Sequence, residues 1–419
     1  MEISSDKLLP TLNFVLAIVG YQFVTSLAMP FIGVDVEGAS NIVTVPYRLF
    51  SILLATTVIV QSLFKGFVVL KNNRTIVLFV VFWILWLIRL FFDLKIRTDF
   101  YILPREAARI WLFSLLLCLY NGFSVALSYK KIDLQLAYRL TAFALLISLI
   151  FSLLFNPLLL SSSEEIDTRV DGNVALTTIT FGQMGMSAIV IGACMLFTER
   201  KLLLKYFVPF LLIVVGFLIS LRSGSRGPLF CLAVIVMYAV ITKTKRPIIG
   251  FMLAFLFLVL IVIFLRQILM IIAHIAPYLA ERLEYTTSNE ERALLLREGW
   301  ERFLNNPITG DSFAITYIDG TYTYSHNMIL DAFMGTGFFG GMVFLIMYIS
   351  ATIDGYKLLK FDRKQYMWVV FLLIQQMASG MLSGAFYLSP ILSILIIFVG
   401  LASVNHSTEQ KSLIYDHKQ

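Results

Sequence analysis

Apolar residues run along this chain in long stretches that alternate with short polar segments. A helix needs about 20 apolar residues to cross the roughly 30 Å hydrocarbon core of a bilayer. Twelve stretches of this kind are centred near residues 20, 54, 84, 117, 145, 185, 212, 235, 258, 338, 376 and 395. The pattern predicts an all-α fold: a polytopic transmembrane helical bundle of about twelve spans, forming a single domain over residues 1–419.

One polar insertion, residues 267–325, interrupts the pattern between the ninth and tenth predicted spans. The segment from Asn289 to Leu304 predicts an amphipathic helix within it, because apolar residues recur there at helical spacing: Leu294, Leu295, Trp300 and Phe303. Two interpretations of this partly helical loop stay open. The helix either caps the protein by lying on the membrane face, or forms a lid over a substrate site.

Composition supports a membrane environment, and the charges give the spans a direction. Hydrophobic residues make up 59% of the chain and charged residues 14%, so a polar surface cannot cover the apolar mass. Lys and Arg are retained in the cytoplasm during insertion. They cluster in alternate loops: Lys65, Lys71, Arg74; Lys130, Lys131; Arg200, Lys201, Lys205; Lys243, Lys245, Arg246; Lys357, Lys360, Arg363 and Lys364. An even number of spans then places both termini in the cytoplasm and residues 267–325 outside. Because the +7 net charge is scattered over these short loops, no nucleic-acid partner is expected.

A tight outward turn between the seventh and eighth predicted spans, Leu221 to Pro228, opposes this charge rule. It contains Arg222 and Arg226, which a topology signal does not explain. Pro228 suits the first turn of a helix and Gly227 its cap, so the positive end of a helix dipole would face outward beside both guanidinium groups. The small residues between the arginines would let a ligand approach the backbone. The turn therefore predicts an anion site suited to phosphate, with snorkelling arginines paired to lipid headgroups as the alternative.

Other arginines lie at or near the predicted outer face. Arg169 precedes the sixth span, where Asp167 and Asp171 can pair with it locally. Arg97 follows the third span and is a possible substrate contact. Arg89, near the outer end of that span, is expected to snorkel to the interface.

His326 opens the tenth predicted span at the outer boundary and is the candidate general base, since histidine titrates near neutral pH. The alternative is a capping histidine at the membrane interface. Asn327 and Asp331 follow four residues apart on one helix face, and an intramembrane Asp usually marks function or a buried partner. The glycines further along this span predict close helix packing: Gly335, Gly337, Gly340 and Gly341.

Several kinds of chemistry have no support in the sequence. It contains no Asp-x-Asp, no His-x-x-x-His and no phosphate-binding loop, so neither a metal-dependent nucleotide-sugar enzyme nor an ATP-driven pump is indicated. The three cysteines all lie in apolar stretches, where they are expected to be small buried hydrophobes: Cys118, Cys194 and Cys231.

Four motifs in order resemble the bacterial O-antigen polymerase and O-antigen ligase superfamily of polytopic glycosyltransferases. Residues 165–345 contain all four: Arg169 to Gly172; Ser223 to Gly227; an Arg-led helix ending in Asn-Pro-x-x-Gly (Arg292, Asn306, Pro307, Gly310); and Ser-His-Asn-x-x-Leu with downstream glycines (Ser325 to Gly341). One departure is that Gly335-Thr336-Gly337 stands where family members often carry Glu-x-Gly.

The resemblance implies glycan transfer from undecaprenyl pyrophosphate to an acceptor sugar, on the periplasmic face of the bacterial inner membrane and without metal or nucleotide. Arg169, Arg222 and Arg226 would bind the pyrophosphate, His326 would be catalytic, and further substrate contacts would be Asn327, Asp331, Arg292 and Arg97. A separate chain-length regulator is a possible partner. Polymerisation of repeat units is the favoured reaction; ligation to the lipid A core is the alternative, and a flippase for lipid-linked sugar is the alternative of another class.

Overall fold

The computed structural model describes residues 5–31, 39–65, 73–95, 110–156, 172, 176–199, 201–275, 279–280, 287–316 and 322–416. Over these residues the α-helices are, in chain order, α1 (Ser5–Val15), α2 (Tyr21–Leu27), α3 (Ala39–Phe64), α4 (Arg74–Lys95), α5 (Asn121–Ser128), α6 (Leu134–Phe155), α7 (Thr178–Thr198), α8 (Val208–Arg222), α9 (Gly227–Lys243), α10 (Pro247–Ile263), α11 (Leu265–Ile275), α12 (Thr287–Asn305), α13 (Met328–Phe361), α14 (Arg363–Gly380) and α15 (Pro390–Asp416). Short π-helical segments at Leu16–Gly20, Phe113–Tyr120 and Leu203–Phe207 continue neighbouring helices. Two short strands, β1 (Ile315–Thr316) and β2 (Tyr322–Thr323), pair antiparallel.

The helical architecture that hydropathy predicts is confirmed, whereas the number of about twelve spans and the outer location of residues 267–325 stay predictions. Among the residues that the structure describes, eight helical segments are long and apolar enough to cross a membrane: Asp6–Leu27, Asn41–Phe64, Arg74–Leu94, Ile110–Lys131, Leu134–Phe155, Thr178–Thr198, Leu203–Arg222 and Met328–Phe361. Three shorter apolar helices, Gly227–Lys243, Ile248–Leu260 and Pro390–Val404, coincide with three more predicted spans. The stretch near residue 376 forms α14, which is not among these segments, so twelve spans stays a prediction.

Apolar side chains on the outside of these helices indicate a lipid environment. On α10, Ile248 is 73% exposed, Met252 67% and Phe255 66%, and Phe197 on α7 is 71% exposed. Soluble proteins rarely expose contiguous apolar surface on this scale. The chain therefore has the surface of a membrane protein as well as the composition of one.

The chain divides into two compact units, each assembled from separated segments. The first unit comprises residues 1–53, 131–286 and 362–379. In its core the backbones of α7 and α8 are in direct contact. The approach is so close that a Cβ added at Gly185 would lie 2.5 Å from the carbonyl oxygen of Gly216. Small residues at a helix crossing permit this approach, which suits a membrane where burial of apolar surface alone does not drive association.

The second unit comprises residues 54–130, 287–361 and 380–419. Its core is aromatic, with Phe82 of α4 lying 4.9 Å from Phe344 of α13 and 5.3 Å from Phe386 between ring centroids. At the other end of α13, buried Asp354 accepts hydrogen bonds from Asn73, Thr75 and Ser403. These contacts join α4, α13 and α15. The predicted insertion 267–325 contributes residues to both units, and the single transmembrane domain of 1–419 stays a prediction.

Candidate active site

The arginine turn, Leu221 to Pro228, lies in the first unit and joins α8 to α9. Gly224 has a φ of +61°, which lets the chain reverse within four residues. Helix α9 begins at Gly227 with Pro228 in its first turn, as predicted, but the N-cap residue is Arg226 and not Gly227. A guanidinium group has no acceptor atom, and its side chain makes no capping hydrogen bond. The positive end of α9 therefore begins at an arginine.

The small residues of the turn have a different role from the predicted one. Ser223, Gly224 and Ser225 are buried, and Ser223 donates a hydrogen bond to the carbonyl of Ser220, 2.9 Å away. A Cβ at Gly182 of α7 would clash with the Ser223 hydroxyl, so these residues pack against a helix and do not line an open surface. Arg222 and Arg226 are half-buried at the rim of this packed turn.

A buried amide pair lies close to the arginine turn in the same unit. The Gln375 amide donates to the side-chain oxygen of Gln183, 3.1 Å away, and to the Ser187 hydroxyl, 3.0 Å away. A Cβ at Gly227 would lie 3.3 Å from the Gln183 side-chain nitrogen, so the start of α9 rests on this pair. The network joins α7, α9 and α14 and fixes the base of the arginine turn.

The histidine turn, Tyr324 to Asp331, lies in the second unit and leads into α13. The side-chain oxygen of Asn327 accepts from the backbone N–H groups of Ile329 and Leu330 at 3.0 and 3.1 Å, which makes Asn327 the N-cap of α13. The Asp331 carboxylate accepts from the Ser325 N–H at 3.0 Å. Both residues thus bind the turn's own backbone, which gives them structural roles beside the predicted substrate contacts.

Among the residues that the structure describes, His326 is the one non-glycine residue with a positive φ, which is +60°. Such a conformation costs free energy in most residues and often occurs where function requires it. Its ring lies 4.5 Å from that of Tyr324, between centroids. The Nδ1 atom of His326 is buried without a hydrogen-bond partner in the described part of the chain, and so is Oδ2 of Asp331.

Electrostatics keep His326 in its neutral form near neutral pH. Burial lowers the pKa of the imidazole below its ordinary value of 6.5, and the positive charge of Arg292 on α12 lowers it further. Burial also raises the pKa of the Tyr324 phenol, although a hydrogen bond with Ser383 opposes that shift. The neutral imidazole is the form that the predicted general base requires, because only that form can accept a proton.

The predicted Asn-Pro-x-x-Gly motif forms a turn, Asn306 to Asp311, that docks into a break in α13. Gly337 has a φ of +68° and is the break, and the Phe338 N–H donates to the carbonyl of Pro307, 2.6 Å away. A Cβ at Gly337 would collide with the Ile308 carbonyl, and one at Gly335 with the Phe313 ring. The prediction that these glycines serve helix–helix packing is therefore wrong for this pair, since they admit a loop.

Arg89 of α4 holds the same turn from inside the second unit, so the prediction that it snorkels is wrong. Its guanidinium group donates to the carbonyl oxygens of Thr309, Gly310 and Asp311 at 2.6–2.8 Å. It also pairs with Asp93 at 2.9 Å, and both side chains are buried. Only a planar fork of donors can serve several carbonyls and a carboxylate at once.

The structure distributes the predicted site residues between the two units. Arg222 and Arg226 belong to the first unit, and Arg292, His326, Asn327 and Asp331 to the second. Within the second unit the histidine turn and Arg292 come together, as the effect of Arg292 on the His326 pKa shows. Arg169 and Arg97 lie outside the described residues, and their roles stay predictions.

Three features of these sites were not predicted, and only one had a signal in the sequence. Arg89 and Asp93 are four apart in an apolar stretch, and that spacing could have indicated a buried pair in place of a snorkelling arginine. Tyr324, whose ring lies against that of His326, carried no signal in the sequence. Gln183 and Gln375 are single amides in long apolar stretches, and nothing local in the sequence joins them.

Comparison with known proteins finds a family model that matches the part of the chain containing both turns. The O-antigen ligase family model (Wzy_C) matches residues 211–345, which include the arginine turn, α12, the docked turn and the histidine turn. This match confirms the resemblance to the O-antigen ligase and polymerase superfamily. No curated protein matches the chain.

Proposed function

Taking that match as the premise, we propose that this protein polymerises lipid-linked oligosaccharide repeat units of O-antigen or a related surface polysaccharide. The glycan would pass from undecaprenyl pyrophosphate to an acceptor sugar on the periplasmic face of the inner membrane. In the step, the acceptor hydroxyl forms a bond to the anomeric carbon as the bond to the pyrophosphate oxygen breaks. The hydroxyl proton goes to a base, and the pyrophosphate leaves with its negative charge on the lipid carrier.

The environment of His326 is the observation that carries the proposal. The ring is neutral near pH 7, its Nδ1 atom has no hydrogen-bond partner among the described residues, and its backbone is held in a strained conformation. A purely structural capping histidine would use its ring nitrogens on neighbouring backbone, whereas the cap of α13 is already supplied by Asn327. We assign to His326 the removal of the acceptor proton, which typically contributes about 10²- to 10⁴-fold to a rate.

The arginine turn supports the second half of the reaction. Arg222 and Arg226 can grip phosphate oxygens bidentately, and the start of α9 adds its dipole to their charge. Charge accumulates on the pyrophosphate as the glycosidic bond breaks, so fixed positive groups stabilise the transition state more than the bound donor. We propose Arg169 as a third ligand on the family resemblance, and we expect no metal or nucleotide to be required.

Ligation to the lipid A core is the second candidate, because the description of the matching family is O-antigen ligase. Deletion of the protein in its host, with analysis of the surface glycan, separates the candidates. Single repeat units on the lipid A core indicate a lost polymerase, and long chains left on the undecaprenyl carrier indicate a lost ligase. Precursors trapped in the cytoplasm would contradict both and indicate a flippase. Complementation with His326→Ala should fail in the first two cases, although the protein inserts normally.

A further inference from the structure

Helix α12 carries an apolar stripe that the described parts of the protein leave uncovered. Leu296, Trp300 and Leu304 recur every four residues and are 40%, 50% and 55% exposed. The neighbouring side of the helix is buried through Phe303, whose ring lies 5.4 Å from that of Phe333 on α13 and 5.3 Å from that of Trp300, between centroids. The stripe is thus an exposed apolar strip beside the side that the helix has already buried.

The charged side of α12 lies next to this stripe. Arg297 and Glu301 are each one residue further along than Leu296 and Trp300, and they pair at 2.8 Å with both side chains more than half exposed. An exposed ion pair flanking an exposed apolar stripe is the pattern of a helix lying in a membrane–water interface.

The length of α13 places the stripe at such an interface. Because α13 breaks at Gly337, its continuous part runs from Phe338 to Phe361; these 24 residues at about 1.5 Å each make about 36 Å, slightly more than a hydrocarbon core of about 30 Å. Its last turns carry Lys357 and Lys360, which mark the predicted cytoplasmic boundary. About 20 residues back from Lys357, the hydrocarbon core ends near Gly337, where α13 breaks.

The docked turn that follows α12, Asn306 to Asp311, contacts α13 at this end of the hydrocarbon core. Its Pro307 carbonyl accepts from the Phe338 N–H, and its Ile308 side chain is 69% exposed. Phe338 and Phe339 beside it are 51% and 65% exposed on the surface of the spanning helix. The stripe of α12 therefore continues through Ile308 into the lipid-facing surface of α13.

We propose that α12 is a membrane-surface anchor: Leu296, Trp300, Leu304 and Ile308 enter the headgroup and upper acyl region of the outer leaflet, and phospholipid is the partner that covers this face. Of the two interpretations of the insertion, this favours a cap fixed on the membrane over a lid. The inference does not depend on the proposed function, because it rests on exposure and helix length.

Cysteine accessibility in proteoliposomes tests the anchor. The chain's own cysteines are buried, which leaves single introduced cysteines as the reactive sites. Two matched pairs compare the faces: Leu304→Cys with Glu301→Cys, and Leu296→Cys with Arg297→Cys. We expect a membrane-impermeant maleimide to label the charged-face cysteines at least about tenfold faster. Equal labelling within each pair would overturn the proposal.

Lipid-borne quenching identifies what covers the stripe. Trp300 should lose fluorescence in vesicles whose phosphatidylcholine is brominated high on the acyl chain, while aqueous iodide should have little effect on it. The difference between the wild type and Trp300→Phe isolates this signal from the other four tryptophans. Stripe cysteines protected from maleimide while Trp300 is insensitive to bromolipid would mean that a protein covers the face, and would equally overturn the anchor.

Discussion

The arginine turn and the histidine turn both start a helix after a tight loop, yet they treat the free N–H groups of that helix in opposite ways. At α13, Asn327 accepts two of these groups with its side chain. At α9, the residue in the same position is Arg226, whose side chain makes no capping bond. Asn is among the best N-caps, and an arginine cannot serve as one.

This difference separates a helix start that holds its own backbone from one where we propose that an anion binds. The start of α13 is held by the Asn327 cap, which suits a turn that keeps His326 in a left-handed conformation. The start of α9, where we propose that the pyrophosphate binds, packs against the amide pair Gln183 and Gln375. The predictions below change one turn at a time.

Replacing the proposed base should have the largest effect. We expect His326→Ala to lower turnover by about 10²- to 10⁴-fold, because the proton of the attacking hydroxyl loses its acceptor. Chain ladders on a polysaccharide gel, normalised to membrane-inserted protein, measure the change. His274→Ala on α11 is the matched control, since His274 is exposed and belongs to neither turn. Wild-type ladders from His326→Ala would remove the histidine from the mechanism.

Two substitutions of Arg226 should change activity and stability in different ways. Arg226→Lys keeps the charge but loses the bidentate fork, so we expect a fall in activity of about 10- to 100-fold. Arg226→Asp places a carboxylate beside the positive end of α9, which should stabilise that end by about 0.3–1 kcal/mol while abolishing activity. Glycan synthesis and thermal unfolding of the purified variants report the two effects. Arg246→Lys, at an exposed position, is the control; if Arg226→Asp stayed active, the anion site would be wrong.

Arg89 should matter to the histidine turn and not to the arginine turn. Arg89→Lys cannot serve three carbonyls and Asp93 together, and a lost hydrogen bond to a charged group costs about 1.5–3 kcal/mol. We expect a lower unfolding temperature and faster hydrogen exchange over residues 306–316. Arg74→Lys, exposed at the other end of α4, should change neither quantity. Unchanged exchange in Arg89→Lys would show that the guanidinium group does not hold the docked turn.

The smallest effect should be a displaced pH profile. Because burial and Arg292 lower the His326 pKa, turnover should persist at neutral pH and fall only as the pH drops below that lowered value. Arg292→Gln removes one of the two causes of the lowered His326 pKa. That pKa should then rise, and the acidic limb of the pH profile of turnover should move to higher pH. Arg297→Gln, exposed on the same helix, should leave the profile in place. If the pH profile of Arg292→Gln matched that of the wild type, the acidic limb would report the titration of a group other than His326.

Local patterns in the sequence predicted what depends on neighbouring residues. The apolar stretches indicated the helices, the spacing of Leu295 and Phe303 indicated α12, and the order of the motifs indicated the family. Long-range pairings were not predictable in this way. Arg89 lies 220 residues before the turn that it holds, and Gly337 meets a loop and not a helix, because tertiary contacts decide what a buried arginine or a glycine faces. The N-cap of α9 is Arg226, one residue before the predicted Gly227, and helix ends commonly differ by a residue or two from where they are expected.

The most direct test of the central claim is a reaction with purified protein in lipid nanodiscs and lipid-linked repeat units from the host as the only substrate. The account predicts that longer lipid-linked glycans form and that one undecaprenyl pyrophosphate is released for each bond made, with both products absent in His326→Ala. Longer glycans without released carrier, or equal products from His326→Ala, would contradict it.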